Sequence, residues 1–518
     1  MADRALTISK RSGISAATLV VVLILAALLA VLSRAEAGSG LTPADWSAVR
    51  FTVWQAFLSA LISILLAIPV ARALARRRFA GRSILVTLLG APFILPVIVA
   101  VLGLLAVFGR SGWVNQVLEA PGLPTVSIYG LHGVVLAHVF FNLPLATRLL
   151  LQGWQSIPAE RFRLAAQLRL TPWAIFRTLE VPLLKQVVPG VAALIFVICL
   201  TSFAVALTLG GGPRATTVEL AIYQAFRFDF DLGRAAMLSL VQLVMAGAAA
   251  IVALRILPKD NLGGGLDRPL QRWDAKGGLQ RALDGAVIAG AALFLLLPLA
   301  AVVLRGLAGL GKMPGSVWQA ALSSLGVAVL SVIVMIAFAL PLAGWIATRQ
   351  RGGVEAVGLL GLSASPLMIG TGWFILVNPV MNPSDLALAV TALVNALMAV
   401  PFALRILVPQ LRETVQTYGR LSQTLGITGW ALWRILLLPR LRAPLGFATG
   451  LTAALSLGDL GVITLFADQD RVTLPLQMYR LMGAYQMDAA AGAALLLLTL
   501  ALGLFWLCDR GGRWHAEA

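Results

Sequence analysis

Few side chains in this sequence are equipped for chemistry, and those that are sit in apolar surroundings. Asp459 lies within LSLGDLGVITLF between Gly458 and Gly461, and His138 and Asn142 stand four apart in LAHVFFNLPL. That spacing puts His138 and Asn142 on one helix face. An ionisable group at membrane depth is costly and is a site hypothesis by default. Asp459 either lines a path for a charged solute or hydrogen-bonds the backbone at a helix break. His138 and Asn142 either form an inward polar stripe or join helices by hydrogen bonds. Neither set is a nucleophile with its base, no zinc-ligand spacing occurs, and no G-x-x-x-x-G-K-[ST] loop is present to cradle phosphates. The expectation is a chain that is not an enzyme, with no catalytic residues, no metal site and no cofactor of its own. Cys199 and Cys508 both fall inside apolar runs and read as small buried side chains rather than a disulfide.

The elements that would position these residues are membrane spans. Hydrophobic residues make up 59% of the 518 and charged residues 12%, against about 25% charged in a soluble domain. Apolar runs long enough to cross a hydrocarbon core of roughly 30 Å occur near 14–32, 51–75, 84–108, 130–151, 188–209, 236–257, 283–303, 320–347, 356–378, 386–408, 446–467 and 489–508. The fold class expected is an all-α polytopic membrane protein of about twelve spans in two pseudosymmetric six-helix halves. Pro96 and Pro366 begin two related runs, PVIVAVLG and PLMIGTGW, and are expected to interrupt the third and ninth spans. Lys and Arg gather in the even-numbered loops and beside the first span, which places both termini in the cytoplasm. The net charge of +18 then reflects topology and attraction to lipid headgroups, not nucleic-acid binding. Residues 4–37 imitate a secretory signal, but the apolar stretch is too long for one and Arg34 adjoins the supposed cut, so it reads as a retained first span.

The chain also repeats itself. Residues 163–182 read RLAAQLRLTPWAIFRTLEVP, and residues 420–439, 257 positions later, read RLSQTLGITGWALWRILLLP. The same offset pairs Pro144 with Pro401, Trp173 with Trp430, His138 with Asn395 and Ser202 with Asp459. The division expected is a first half over 1–258, a cytoplasmic linker over 259–282 and a second half over 283–518, with equivalent cytoplasmic loops over 158–187 and 415–444. Each loop opens with a short amphipathic helix. Pro172 and Gly429 then redirect the chain into a second stretch along the membrane surface, and Pro182 and Pro439 mark re-entry into the bilayer.

These loops resemble the EAA loop of permease subunits of ATP-binding-cassette importers, a pattern of E-A-A, three residues, G, nine residues, I, one residue, L-P. Counting back from Pro182 puts Arg163, Leu164 and Ala165 at E-A-A and Arg169 at G; from Pro439, the same positions hold Arg420, Leu421, Ser422 and Gly426. Segments such as LAHVFFNLPLATRLLLQ, TLGGGPRATTVELAIYQA and SLGDLGVITLF extend the likeness across nearly the whole chain, and they are similar to the fused permease of bacterial thiamine importers. The resemblance implies translocation of thiamine and its phosphates across the bacterial inner membrane. It also implies a homodimeric cytoplasmic ATPase that uses ATP and Mg, and a periplasmic thiamine-binding protein. Arg163, Leu164, Ala165, Ala166, Leu168, Arg169 and Pro182, with Arg420, Leu421, Ser422, Leu425, Gly426 and Pro439, become the coupling positions. Asp459, Ser202, His138, Asn142, Asn395, Pro96 and Pro366 become the candidate pathway. A ferric-iron importer of the same family and a twelve-span ion-coupled carrier are the competing readings.

Overall fold

The computed structural model describes residues 7–35, 41–90, 94–212, 215–256, 277–347, 365–468 and 470–513. Most of the expected linker and part of the expected ninth span lie outside them. In chain order the α-helices begin with α1 (Thr7–Arg34), α2 (Pro43–Arg76), α3 (Arg82–Leu88), α4 (Val97–Phe108), α5 (Trp113–Glu119), α6 (Leu131–Ser156) and α7 (Ala159–Gln167). They continue with α8 (Pro172–Ile175), α9 (Val181–Leu200), α10 (Ala204–Leu209), α11 (Val218–Arg227), α12 (Leu232–Ile256), α13 (Gly278–Gly309) and α14 (Gly315–Ala347). The last are α15 (Pro366–Val377), α16 (Ala387–Thr424), α17 (Gly429–Leu432), α18 (Leu438–Leu457), α19 (Gly461–Phe466), α20 (Leu474–Gly483) and α21 (Met487–Arg513).

The protein is a polytopic all-α membrane protein. Among the described residues eleven helices are long and apolar enough to cross a membrane, one fewer than the twelve expected. The difference lies at α15, whose twelve described residues extend about 18 Å, short of the hydrocarbon thickness. Leucines spaced at helical period point outward, among them Leu25, Leu29 and Leu32 on α1 and Leu61 and Leu65 on α2, all exposed. Alanines and small polar residues face inward, as expected where helices associate by close packing rather than by hydrophobic exclusion.

The first helix does not pack where its place in the chain would put it. α1 lies against α14 and α15, whereas α13 lies against α2 and α4. Glycine permits the second approach: a Cβ at Gly103 of α4 would come within 2.6 Å of the Pro298 carbonyl oxygen on α13. Gly372 of α15 stands in the same relation to the Ala27 carbonyl of α1.

Pro96 interrupts its span between α3 and α4, as expected; the stretch before Ser365, where Pro366 was expected to do the same, lies outside the described residues. Pro96 is the N-cap of α4 and Pro366 the first residue of α15, and each heads a helix of twelve residues. A pair of breaks follows α9 and α18. Helix α9 ends at Leu200 and resumes as α10 at Ala204; α18 ends at Leu457 and resumes as α19 at Gly461. Ser202 and Asp459 occupy these two breaks.

Candidate functional site

Two regions carry the candidate residues: the paired short helices at one end of the molecule, and the helix breaks within the bundle. In the first, α7 buries Phe162 and Ala165 against the bundle and exposes Leu164 (57%) and Leu168 (63%). The end of α16 buries Ser422 and exposes Leu421 (55%) and Leu425 (64%). Ala165 and Ser422, both coupling candidates, therefore seat their helices, while the leucines four apart present an apolar ridge outward. Arg163 and Arg420 flank the ridges, exposed, and Ala166 is half-buried.

Both helices end in the same cap. The Leu170 N–H donates to the Ala165 carbonyl (3.0 Å) and the Arg169 N–H to Ala166 (3.1 Å); the Ile427 N–H donates to Ser422 (2.8 Å) and the Gly426 N–H to Gln423 (3.1 Å). This is the Schellman arrangement, which needs a left-handed residue just past the helix. Arg169 (φ 49°) and Gly426 (φ 66°) supply it. The glycine position of the loop pattern is thus a backbone requirement, which Gly426 meets freely and Arg169 meets under strain.

The second amphipathic stretch departs from expectation. Residues 173–181 do not lie apart on the surface. They form the first turns of the helix that crosses the membrane, α8 continuing into α9 through a π-helical segment at Phe176–Glu180. The equivalent segment is Trp433–Leu437, between α17 and α18. Pro182 and Pro439 sit in the first turn after these segments, and the helix runs through them. A proline lacks the N–H that an α-turn would use, and the wider i→i+5 turn just before it absorbs the mismatch. In the first segment Glu180 is fully buried and accepts from Arg72 Nε (2.6 Å), with Arg76 at 3.9 Å. Arg77 reaches Asp284 of α13 (2.7 Å), so one charged cluster joins this segment to α2 and α13. Leu437, just as deeply buried, stands where Glu180 does.

Within the bundle, His138 and Ser202 meet. The His138 Nε2–Ser202 Oγ distance is 2.8 Å, and Nδ1 lies 3.2 Å from Ser59 Oγ of α2. Asn142 turns aside and donates to Cys199 Sγ (3.3 Å). At the matching place, Asn395 donates to Ser456 Oγ (3.1 Å), which lies 2.9 Å from Ser331 Oγ of α14. The Asn395 amide also faces Asp459. One Asp459 oxygen, Oδ1, accepts from the Gly461 N–H (3.2 Å) and so caps α19; the other, Oδ2, is enclosed with no hydrogen-bond partner among the described residues. Gly458 lets Pro96 close on this break, since a Cβ there would lie 3.1 Å from Pro96 Cα. Pro366 serves from further off, heading the helix whose Leu367 packs beside Gly461.

Several of these partners were not among the residues that the sequence singled out. Thr52, Gln55, Ser59 and Ser63 form a fully buried polar stripe along α2. Gln55 donates to the Cys199 carbonyl (2.9 Å) and Thr52 Oγ1 accepts from the Val218 N–H (2.9 Å). On α14, Ser324 accepts from the Leu474 N–H (2.7 Å) as Thr52 does from Val218. Their spacing of three, four and four in an otherwise apolar run was the available signal. These groups satisfy backbone left open at the helix breaks, where no water would do so in lipid.

No family model matches the chain. It is 42% identical to the thiamine transport system permease protein ThiP of Salmonella typhimurium over 525 aligned positions, covering 98% of this chain and 97% of that protein. It is likewise 42% identical to the protein of the same name from Escherichia coli over 520 positions, 96% of each. A more distant relative, the molybdenum transport system permease protein ModB of Azotobacter vinelandii, is 30% identical over 178 positions, 34% of this chain. With such identity sustained from end to end, the chain belongs to the family of thiamine transport system permease proteins.

Proposed function

We propose that this chain is the membrane-spanning subunit of an ATP-binding-cassette importer that admits thiamine and thiamine phosphates from a periplasmic binding protein to the cytoplasm. The names of its relatives support the cargo. The observation that carries the coupling role is the pair of outward leucine ridges, Leu164 with Leu168 and Leu421 with Leu425, each on a short helix closed by a left-handed residue. Two equivalent ridges call for a partner with two equivalent grooves, a homodimeric ATPase in the cytoplasm that consumes ATP with Mg. The chain itself sits in the inner membrane with both termini cytoplasmic, as two six-span halves around one path.

In this reading, ATP-driven closure of the partner moves both ridges. The motion passes along α16 to Asn395 and Asp459, and through α7 and the Glu180 cluster to α2, α6 and the His138–Ser202 contact. Asp459, beside a break in a membrane-buried helix, offers a passing cation a carboxylate without holding it tightly. Pull-down of the ATPase by the L164D/L421D double variant is the direct test, with loss of at least tenfold in captured ATPase expected. Undiminished capture would refute the assignment, and uptake driven by a proton gradient without ATP would replace an importer subunit by an ion-coupled carrier.

A further inference from the structure

A cavity of about 650 Å³ opens on the face opposite the leucine ridges, at the far end of α19 from Asp459. That volume suits a small organic molecule. Its floor is a run of three edge-to-face rings from three helices, Phe226–Phe374 (centroids 4.4 Å apart) and Phe374–Phe466 (5.4 Å). Its rim carries charges of both signs: Arg227 from the last turn of α11, Arg480 from α20, and Asp468 just past α19.

We propose that cargo pauses in this cavity on its way to Asp459, and that Arg227 and Arg480 there take the phosphate group of a phosphorylated aromatic cation. The inference rests on the cargo class proposed above and adds where that cargo is held and how its charged forms are told apart. The rings offer faces to a flat cationic heterocycle. Asp468 adds a carboxylate kept below the usual range by N–H bonds from Arg471 (2.9 Å) and Asp470 (3.0 Å), so it stays charged in neutral and mildly acidic surroundings. Arg480 is aimed by one bond, to the Asp468 carbonyl (2.7 Å). Arg227 lines the same cavity and brings a second positive charge to its rim. Two cations on one rim repel until an anion lies between them, and a phosphate with several acceptor oxygens satisfies both forks at once.

The test is uptake into proteoliposomes holding this chain, its ATPase and the binding protein, with labelled thiamine diphosphate and labelled thiamine compared. For R227Q/R480Q the half-saturating concentration of the diphosphate should rise about tenfold or more, with thiamine uptake within about twofold of wild type and R227K/R480K intermediate. An equal loss for both cargoes, or no change for either, overturns the proposal. Calorimetric titration of the purified chain with inorganic pyrophosphate separates this idea from the cargo reading. Binding by wild type that R227Q/R480Q loses upholds the anion site even if neither thiamine form is carried, and absence of binding by wild type overturns it.

Discussion

The two ridge-bearing arms differ in helical continuity although their caps and π-segments match. In the second arm α16 runs for 38 residues from Ala387 to Thr424, continuing through Pro401 and Pro409, so Asn395 and Leu421 lie on one helix, about 39 Å apart along its axis. In the first, α6 stops at Ser156 and α7 starts at Ala159, with Pro158 at its N-cap. Proline removes a donor and clashes with the preceding turn, and the matching position in α16 is Val415. The first arm has the buried Glu180 cluster tying its π-segment to α2 and α13, where the second arm has Leu437 and, just past it, Arg440 on Tyr418 of α16 (2.8 Å). One arm is continuous in its backbone, and the other is broken and bridged by a buried charged cluster.

Breaking the continuous arm should have the largest effect. Val415→Pro inserts a hinge worth about 3 kcal/mol of helix stability; uptake should fall to background while the ATPase still copurifies and hydrolyses ATP. If uptake persists, continuity of α16 is not what couples it. Next, Glu180→Leu makes the first arm resemble the second but removes the buried carboxylate that Arg72 donates to. Thermal unfolding in detergent should register a loss of about 3 kcal/mol, and a neutral result would mean that the cluster does not hold the first arm in place. Asp459→Asn should lower uptake about tenfold with assembly intact, since the amide keeps the cap on α19 and removes the charge; Ser202→Ala should cost less. The smallest change sharpens the match between the caps. Arg169→Gly should raise stability by about 1 kcal/mol and Gly426→Ala lower it by a similar amount, both read from the same unfolding curves.

Much of this comparison was legible in the residues. The offset of 257 paired Ser202 with Asp459 and His138 with Asn395, and each pair occupies equivalent helix breaks and networks. Position Arg169/Gly426 stood out as the glycine of a loop pattern, and it is the left-handed cap. The π-segments were not legible, because nothing in WAIFRTLE announces a turn widened by one residue. Nor was the continuity of the re-entering helices: Pro182 and Pro439 were expected to mark the point of re-entry, and each lies within a helix that has already begun.

By itself the sequence determined the solvent, the positions of most spans, the internal repeat and the identity of the breaking residues, because hydropathy, proline and glycine act over a few neighbours along the chain. Tertiary structure alone decided which polar atoms meet and what encloses them. Ser59 finds His138 across 79 positions and Gln55 finds the Cys199 carbonyl across 144, while α1 settles on α14 and α15 rather than on its sequence neighbours. Such contacts depend on how each helix is rotated and how closely small residues let two backbones approach, quantities that no local pattern encodes.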